Sequence, residues 1–284
     1  MPTISELVFY PVKSCGGISV RAATLTRYGL AVSNVYDREW MVVTEDGQFL
    51  TQREYPRLAL VTPRLKADTL ELRAPGMLRL ELELGLPHPE DAVTREVRIW
   101  DDTVLALDCG DLAATWFSNV IGAPCRLVRF HPEAQRLTSG KWTGGAQSPT
   151  MFADGYPVLV IGSASLADLN QKLLAAGREA LPMNRFRPNV VVDGLEAYEE
   201  DYVATFDLGA GALLRPVKPC ARCPIPAVDQ QTGVPGPDPL DILSTYRANA
   251  RLEGAIAFGM NAVLEGADAV PVAVGQEIPA ELDL

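Results

Sequence analysis

Leu78-Arg79-Leu80-Glu81-Leu82-Glu83-Leu84 carries leucine at every second position, with charged residues between. A period of two sends successive side chains to opposite faces of an extended chain, so this stretch reads as a half-buried β-strand. The same reading extends outward. Ile4 to Tyr10 is apolar and β-prone. Trp40-Met41-Val42-Val43 and Gln48-Phe49-Leu50-Thr51 flank Glu45-Asp46-Gly47, a hairpin signal. Val97-Arg98-Ile99-Trp100 and Val104-Leu105-Ala106-Leu107 flank Asp101-Asp102 in the same way.

Helical periodicity is rarer. Leu112, Trp116 and Val120 share a face with Phe117 and Ile121 beside them, and Gly122 stands at the C-terminal cap. Cys125 to Phe130 is a strand, followed by a polar stretch from His131 to Tyr156 rich in Gly, Ser and Thr, whose length marks it as functional or disordered. Pro157 to Ile161 is an apolar strand. Ser163 is expected to cap a helix carrying Leu166, Leu169, Leu173 and Leu174 that ends near Gly177. Val190-Val191-Val192 is a buried strand. Asp238-Pro239 opens a short helix through Tyr246, and Val263-Leu264 and Val270 to Val274 close the chain as strands. Strands dominate without βαβ alternation, so a doubly wound sheet is not expected. The predicted architecture is mainly β, barrel-like, in two units that meet near residue 120.

The 284 residues include 25 Lys and Arg against 36 Asp and Glu, a net charge of -11. A general nucleic-acid binder shows the opposite balance, so no nucleic-acid partner is expected. An anionic ligand needs only a local basic pocket, although the far field would not steer it inward. No apolar run approaches the ~20 residues of a membrane span, and no basic segment followed by an apolar stretch opens the chain. Neither a membrane partner nor a signal peptide is expected. Five cysteines at irregular positions (15, 109, 125, 220 and 223) do not form a disulfide framework, which points to a reducing cytoplasm.

Chemistry concentrates in Lys218-Pro219-Cys220-Ala221-Arg222-Cys223-Pro224-Ile225-Pro226. Three prolines keep the segment from being a helix interior, and the adjacent arginine favours a thiolate. A structural zinc needs four ligands. Here there is one Cys pair, and the two histidines, His88 and His131, have no finger-like spacing. Thioredoxin chemistry wants its thiol at a helix N-terminus, which Pro224 and Pro226 argue against. The remaining bland reading is two small apolar residues packed at a strand end, and it is the one adopted for Cys220.

Other segments, in order along the chain, resemble the MOSC family, named after the C-terminal domain of molybdenum-cofactor sulfurase. They are Tyr10-Pro11-Val12-Lys13-Ser14-Cys15-Gly16-Gly17, Tyr36-Asp37-Arg38-Glu39-Trp40-Met41-Val42, and Thr51-Gln52-Arg53-Glu54-Tyr55-Pro56-Arg57-Leu58. Asp154-Gly155-Tyr156-Pro157, Ser165-Leu166-Ala167-Asp168-Leu169-Asn170, Arg185-Phe186-Arg187-Pro188-Asn189, the cysteine segment and Phe258-Gly259 complete the set. Within the family the chain is similar to amidoxime-reducing components and bacterial YcbX-like proteins. The resemblance implies a MOSC N-terminal β-barrel domain (1–120), a MOSC domain (121–284) and a molybdenum-molybdopterin cofactor between them. It implies reduction of a small N-hydroxylated substrate, an amidoxime or hydroxylamine.

Carried over by position, the resemblance makes Cys223 the molybdenum ligand and so the catalytic residue. Ala221 and Arg222 become its cofactor-contacting neighbours. Ala221 stands where some relatives carry serine, so a side-chain hydrogen bond is replaced at most by a backbone one. Lys13, Ser14 and Arg38 match cofactor-binding positions of the first unit, and Arg187 and Asn189 those of the second. Asp154, Gly155 and Tyr156 match a loop near the pterin. Asn261 matches a further contact, beside Met260 where many relatives carry Gln. The residue types suit the task. Arginine forks match phosphate oxygens, lysine adds a point charge, and a thiolate is a soft ligand for the metal. Asn189 and the backbone around Gly155 are expected to read the pterin edge. Asp229 is a candidate proton donor only through its closeness in sequence, and a turn role serves it equally.

The four-cysteine iron-sulfur set of some bacterial relatives does not follow Cys223. Electrons are therefore expected from a separate protein of ferredoxin, flavodoxin or cytochrome type with its reductase. On so acidic a chain, an acidic donor would need a basic patch near the cofactor mouth. Two alternatives remain: a molybdopterin or sulfur carrier that matures the cofactor without turnover, and a metal-free protein in which Cys220 and Cys223 cycle as a disulfide.

Overall fold

A computed structural model describes residues 1–88 and 90–283. The protein is mainly β with few helices, as the period-two patterning predicts. Its largest sheet has eight strands in the order Ala280–Leu282, Val203–Gly209, Ala212–Ala221, Ala257–Glu265, Val158–Gly162, Val190–Asp193, Thr3–Phe9 and Ile18–Val20. The first residues of the chain thus pair with residues far along it. Leu7 lies opposite Val190 on one side and Val20 on the other. Ala22–Thr26 likewise pairs with Ala269–Ala273. Residue 120 falls in the last turn of helix Gly110–Ile121.

The 78–84 segment forms strand Leu80–Glu83, with Leu80 and Leu82 buried. Leu78 is 87% exposed because the strand begins after it. In the second hairpin, Ile99 pairs with Asp102, so Trp100 and Asp101 form the two-residue turn and Trp100 leaves the strand. In helix Gly110–Ile121 the buried face runs through Ala113, Trp116, Phe117, Val120 and Ile121, the i, i+3, i+4, i+7, i+8 spacing of one helical stripe. Leu112 falls off that stripe and is 75% exposed. Gly122 takes the left-handed cap at φ 78°. Ser163 is the first helical residue of Ser163–Ala175 rather than its cap, and no side chain caps that end. This helix joins Val158–Gly162 to Val190–Asp193, which pair in parallel, so the fold holds a βαβ crossover that the patterning did not reveal.

Strand Ala212–Ala221 runs through Pro216 and Pro219 into the cysteine segment. Each proline lacks a ladder donor, and the pairing with Ala257–Glu265 shifts register just after each of them. These bulges re-aim the end of the strand, from Lys218 to Cys223, away from a regular ladder. Gly259 lies opposite this bend at φ 79°. A Cβ there would stand 2.6 Å from Ile161 Cγ1 and 2.9 Å from the Val160 carbonyl, so a side chain does not fit. The five cysteines are free thiols. Burial pushes the Cys15 and Cys109 thiols up to about 12, which makes both inert at neutral pH.

Candidate functional site

One cavity of about 330 Å³ lies where the two halves of the sequence meet. Lys13, Ser14, Arg38, Asp154, Gly155, Tyr156, Arg187, Asn189, Ala221, Arg222, Cys223 and Asn261, all expected from the sequence, line it. Thr51, Arg53, Trp100, Phe186, Lys218 and Cys220 line it as well.

The first wall follows from strand Thr3–Phe9. Lys13 is held by its backbone to the Trp40 carbonyl (2.8 Å) and is 4% exposed. Its ammonium donates to the Phe152 carbonyl (2.9 Å) and to Asp154 Oδ1 (2.6 Å). Burial pulls Lys13 down to about 8 against the opposing pull of Asp154. Desolvation works the other way on the Asp154 carboxyl, but Lys13, Arg38 and the Trp100 indole outweigh it and hold it well below the usual range. The Trp100 Nε1–H lies 3.3 Å from Asp154 Oδ1, and the Arg53 guanidinium stacks 4.7 Å from the Trp100 ring.

Tyr10 organises the deeper cations. The Arg38 guanidinium lies 4.8 Å from its ring centre and that of Arg187 lies 4.4 Å away. Arg38 also pairs with Asp37, which is 1% exposed and accepts from the Tyr10 backbone (2.7 Å) and Asn189 Nδ2 (3.0 Å). Burial pushes the Asp37 carboxyl up, opposed first by Arg38. Burial also disfavours the Arg38 charge, but Asp37 and Tyr10 outweigh it and the guanidinium is held all the more firmly charged. Among the described residues no carboxylate is in contact with Arg187. Its Nη1 reaches Gln230 Oε1 at 3.5 Å, its Nη2 is buried with no partner, and burial lowers its pKa.

Asn189 has a different task from the expected one. Its Nδ2 donates to the Val8 carbonyl (3.2 Å) and Asp37, while its Oδ1 accepts from Leu159 N (3.1 Å) and Arg38 Nη1 (3.3 Å). All four hydrogen-bonding positions of the amide are used within the protein. Asn189 therefore orients Arg38 and Asp37 and has no side-chain group left to read a pterin.

The opposite chemistry comes from the bent strand end. Arg222 Nη2 donates to the Phe186 carbonyl (2.8 Å), Nη1 lies 3.2 Å from Cys220 Sγ, and Nε is buried without a partner. Asn261 Nδ2 donates to the Lys218 carbonyl (3.3 Å) and fixes the bend. Cys220 is half-buried and open to the cavity, contrary to its reading as a packed residue, because the bulge after Pro219 turns it out of the ladder. Cys223 is half-buried on the same wall. Asp229 does not line the cavity. It accepts from Gln231 N (2.9 Å), Thr232 N (2.8 Å) and Arg185 Nη2 (2.6 Å), and the Thr232 backbone bond first of all holds its carboxyl below the usual range. It is an ionised turn residue, not a proton donor.

Ser14, Arg38, Trp100 and Arg187 have φ of 66°, 54°, 54° and 58°. Four cavity residues in the left-handed region cost of order 1 kcal/mol or more each, a concentration of strain that goes with preorganised binding sites. Behind them Arg136, 6% exposed, gathers the carbonyls of Met151, Ala153 and Asp154 and pairs with Asp102 (2.7 Å). Nothing local in the sequence distinguishes Arg136. Arg53 lay within a segment already singled out by resemblance.

The cavity suits a group that brings its own metal ligands and a phosphate. Among the described residues no three His, Cys, Asp or Glu side chains stand together as a metal cage, so Cys223 would be one ligand among others supplied from outside. The unpartnered Arg187 Nη2 and Arg222 Nε are buried donors that lack an acceptor, and such groups cost about 1–3 kcal/mol until one arrives. The residues present fit an anionic, sulfur-bearing cofactor. Arg53 and Lys218 line the cavity, and Lys141 and Arg251 stand with Lys218 around the neighbouring Trp142 ring, a local basic patch on an acidic chain. No helix among the described residues is long and apolar enough to cross a membrane.

The chain is similar to known proteins over most of its length. Mitochondrial amidoxime reducing component 2 of Bos taurus is 37% identical over 251 residues, covering 86% of this chain and 72% of that protein. Mitochondrial amidoxime-reducing component 1 of Homo sapiens is 33% identical over 279 residues, covering 95% and 81%. A Bordetella bronchiseptica protein solved in solution is 38% identical and covers 38% of this chain and 86% of its own, at a TM-score of 0.33. Residues 1–124 match the MOSC N-terminal beta barrel domain and residues 147–279 match the MOSC domain. A match that spans both stretches, with the cavity residues drawn from each, means that this chain belongs to the MOSC family and carries the MOSC N-terminal domain beside the MOSC domain.

Proposed function

We propose that the protein is a molybdenum-cofactor-dependent reductase of N-hydroxylated compounds, amidoximes and hydroxylamines, fed with electrons by a separate redox protein. The observation that carries this reading is the meeting of the Cys223 thiol with buried cations from distant segments around one cavity. The names of its relatives support the substrate class. When bound, the cofactor supplies the two-electron chemistry that turns N–OH into N–H with release of water.

The chain supplies position and charge. Cys223 gives the metal one thiolate sulfur. Lys13, Arg38 and Arg187 neutralise the phosphate, with Asp37, Asn189 and Tyr10 keeping the two guanidinium groups in place. The Ala153-Asp154-Gly155-Tyr156 loop, stapled by Arg136, would supply backbone groups to the pterin. Arg222 ties the cysteine segment to Phe186 and has a buried, unpartnered Nε that would be available to the cofactor.

The test is metal and pterin analysis of wild type and Cys223→Ala from a host that makes the cofactor, with benzamidoxime turnover under an artificial reductant. Wild type is expected to hold molybdenum and turn over, and the variant to lose both. Equal molybdenum in the two proteins overturns the ligand assignment. Molybdenum without turnover in wild type favours a carrier.

A further inference from the structure

Trp142 sits outside the strands and helices, in the stretch between Phe130 and Val158. It is nevertheless firmly placed. Its indole packs on Tyr156, Val217 and Val263. Arg215 donates to the Thr143 carbonyl (3.0 Å), and the Tyr156 hydroxyl donates to the Ser139 carbonyl (3.2 Å), so the loop is tied down on both sides of the ring.

Three cations from three separate segments converge on that indole. The Arg251 guanidinium is 5.1 Å from the ring, and Lys218 Nζ and Lys141 Nζ are each 5.7 Å away. Lys218 is also 6.0 Å from the Tyr156 ring, and both residues line the cavity. Among the described residues none of these three cations makes an ion pair. The nearby carboxylates pair with other cations, Glu265 with Arg215 and Asp201 with Arg247, and Arg251 acts on Asp201 only at longer range. On a chain of net charge -11 this is a cluster of unpaired cations. The phosphate side of the cavity has its own cations, Lys13, Arg38 and Arg187, so the cofactor does not require this one.

We infer that Trp142, Lys218 and Arg251 form a subsite at the cavity mouth for the carboxylate or phosphate of a flat, N-hydroxylated substrate. This inference rests on the reductase reading above. The indole and the Tyr156 ring offer stacking surface, and Lys218 and Arg251 pair with the anionic oxygens. Lys218 links the subsite to the thiol, since it stands near the end of strand Ala212–Ala221, just before Cys223, and both line the cavity. Unpaired cations held against a ring face are each stabilised by only ~0.5–1 kcal/mol, and their mutual repulsion is relieved when an anion enters.

The experiment compares 4-carboxybenzamidoxime with benzamidoxime on the cofactor-loaded enzyme, under an artificial reductant in excess and at low salt. Wild type is expected to favour the carboxylate by about tenfold in kcat/KM. In Arg251→Met the ratio falls severalfold, and in Arg251→Met/Lys218→Met it falls to about one. Added salt has the same effect on wild type. Tryptophan quenching by 4-carboxybenzamidoxime without reductant reads binding alone, and it is expected to weaken in the same variants. An unchanged ratio and unchanged quenching overturn the subsite. So does a defect that appears only with a protein electron donor, which would make the patch a docking face for an acidic protein. If no form reduces benzamidoxime, the reductase reading fails, and the quenching titration still decides the subsite.

Discussion

Arg187→Met separates a side chain that serves the fold from one that waits for a ligand. Arg187 is 8% exposed, its Nη2 has no acceptor within the protein, and among the described residues it pairs with no carboxylate. Its main favourable contact is the Tyr10 ring at 4.4 Å, worth about 2 kcal/mol when desolvated, beside a long Nη1 contact to Gln230 Oε1 at 3.5 Å. Against this stands the cost of a buried, unsatisfied charged donor, about 1–3 kcal/mol. Methionine keeps the apolar stem and meets the same left-handed backbone, so the strain at φ 58° cancels. The empty variant should therefore unfold within about 1 kcal/mol of wild type. In the loaded protein the substitution removes a charge-assisted hydrogen bond to phosphate, about 1.5–3 kcal/mol. A loss of about 2 kcal/mol is a roughly thirty-fold weaker cofactor affinity. The assay is thermal unfolding of both forms with and without cofactor. The gap between loaded and empty midpoints should shrink in the variant, while the empty midpoint barely moves. If the empty variant loses as much as the loaded one and the gap stays, Arg187 is a packing residue and the fit argument fails.

Lys13 makes binding pH-dependent. Burial lowers its folded pKa to about 8 from the ordinary 10.5, so folded Lys13 loses its proton above pH 8 while the unfolded chain keeps it to higher pH. The unfolded state then binds more protons, and stability of the empty protein rises between about pH 8 and 10.5. Anion affinity runs the other way and should fall above pH 8, by at most about tenfold per pH unit. Titration with pyrophosphate reads this, and Lys13→Arg should flatten the profile; a flat wild-type profile refutes the assignment. Asp37→Ala should destabilise the empty protein by about 3 kcal/mol or more in denaturant unfolding, because it strips Arg38 of its buried counter-charge. An effect below 1 kcal/mol would mean that Arg38 does not depend on Asp37.

The β class, the hairpin of Thr94–Ile99 with Asp102–Asp108 and the Gly122 cap follow from local rules, and they were legible for that reason, whereas Gln48 to Thr51 forms no strand and meets Trp40–Val43 through one isolated bridge. Errors came where a local rule met a neighbour. Leu112 and Leu78 obey their periods but lie off the buried stripe or before the strand start. The crossover through Ser163–Ala175 was invisible because a parallel pair depends on where the second strand lands, not on its own pattern. Among site residues, the resemblance pointed to Lys13, Arg38, Arg187, Arg222 and Cys223 as a group. It did not indicate Asp37, Tyr10 and Arg136 behind them, or the exposure of Cys220, which comes from a bulge at Pro219.

By itself, then, the amino-acid sequence determined the mainly β class and the residue types able to bind a soft metal and a phosphate, because period, turn chemistry and side-chain chemistry are properties of short stretches. Only the tertiary structure decided which of the cations have a carboxylate beside them and which do not. Among the described residues Arg38 sits against Asp37 and Lys13 against Asp154, whereas Arg187 and the three cations around Trp142 make no ion pair. That distinction depends on which distant segments the sheet order brings within hydrogen-bonding reach, and a charge in a sequence does not carry the identity of its neighbour.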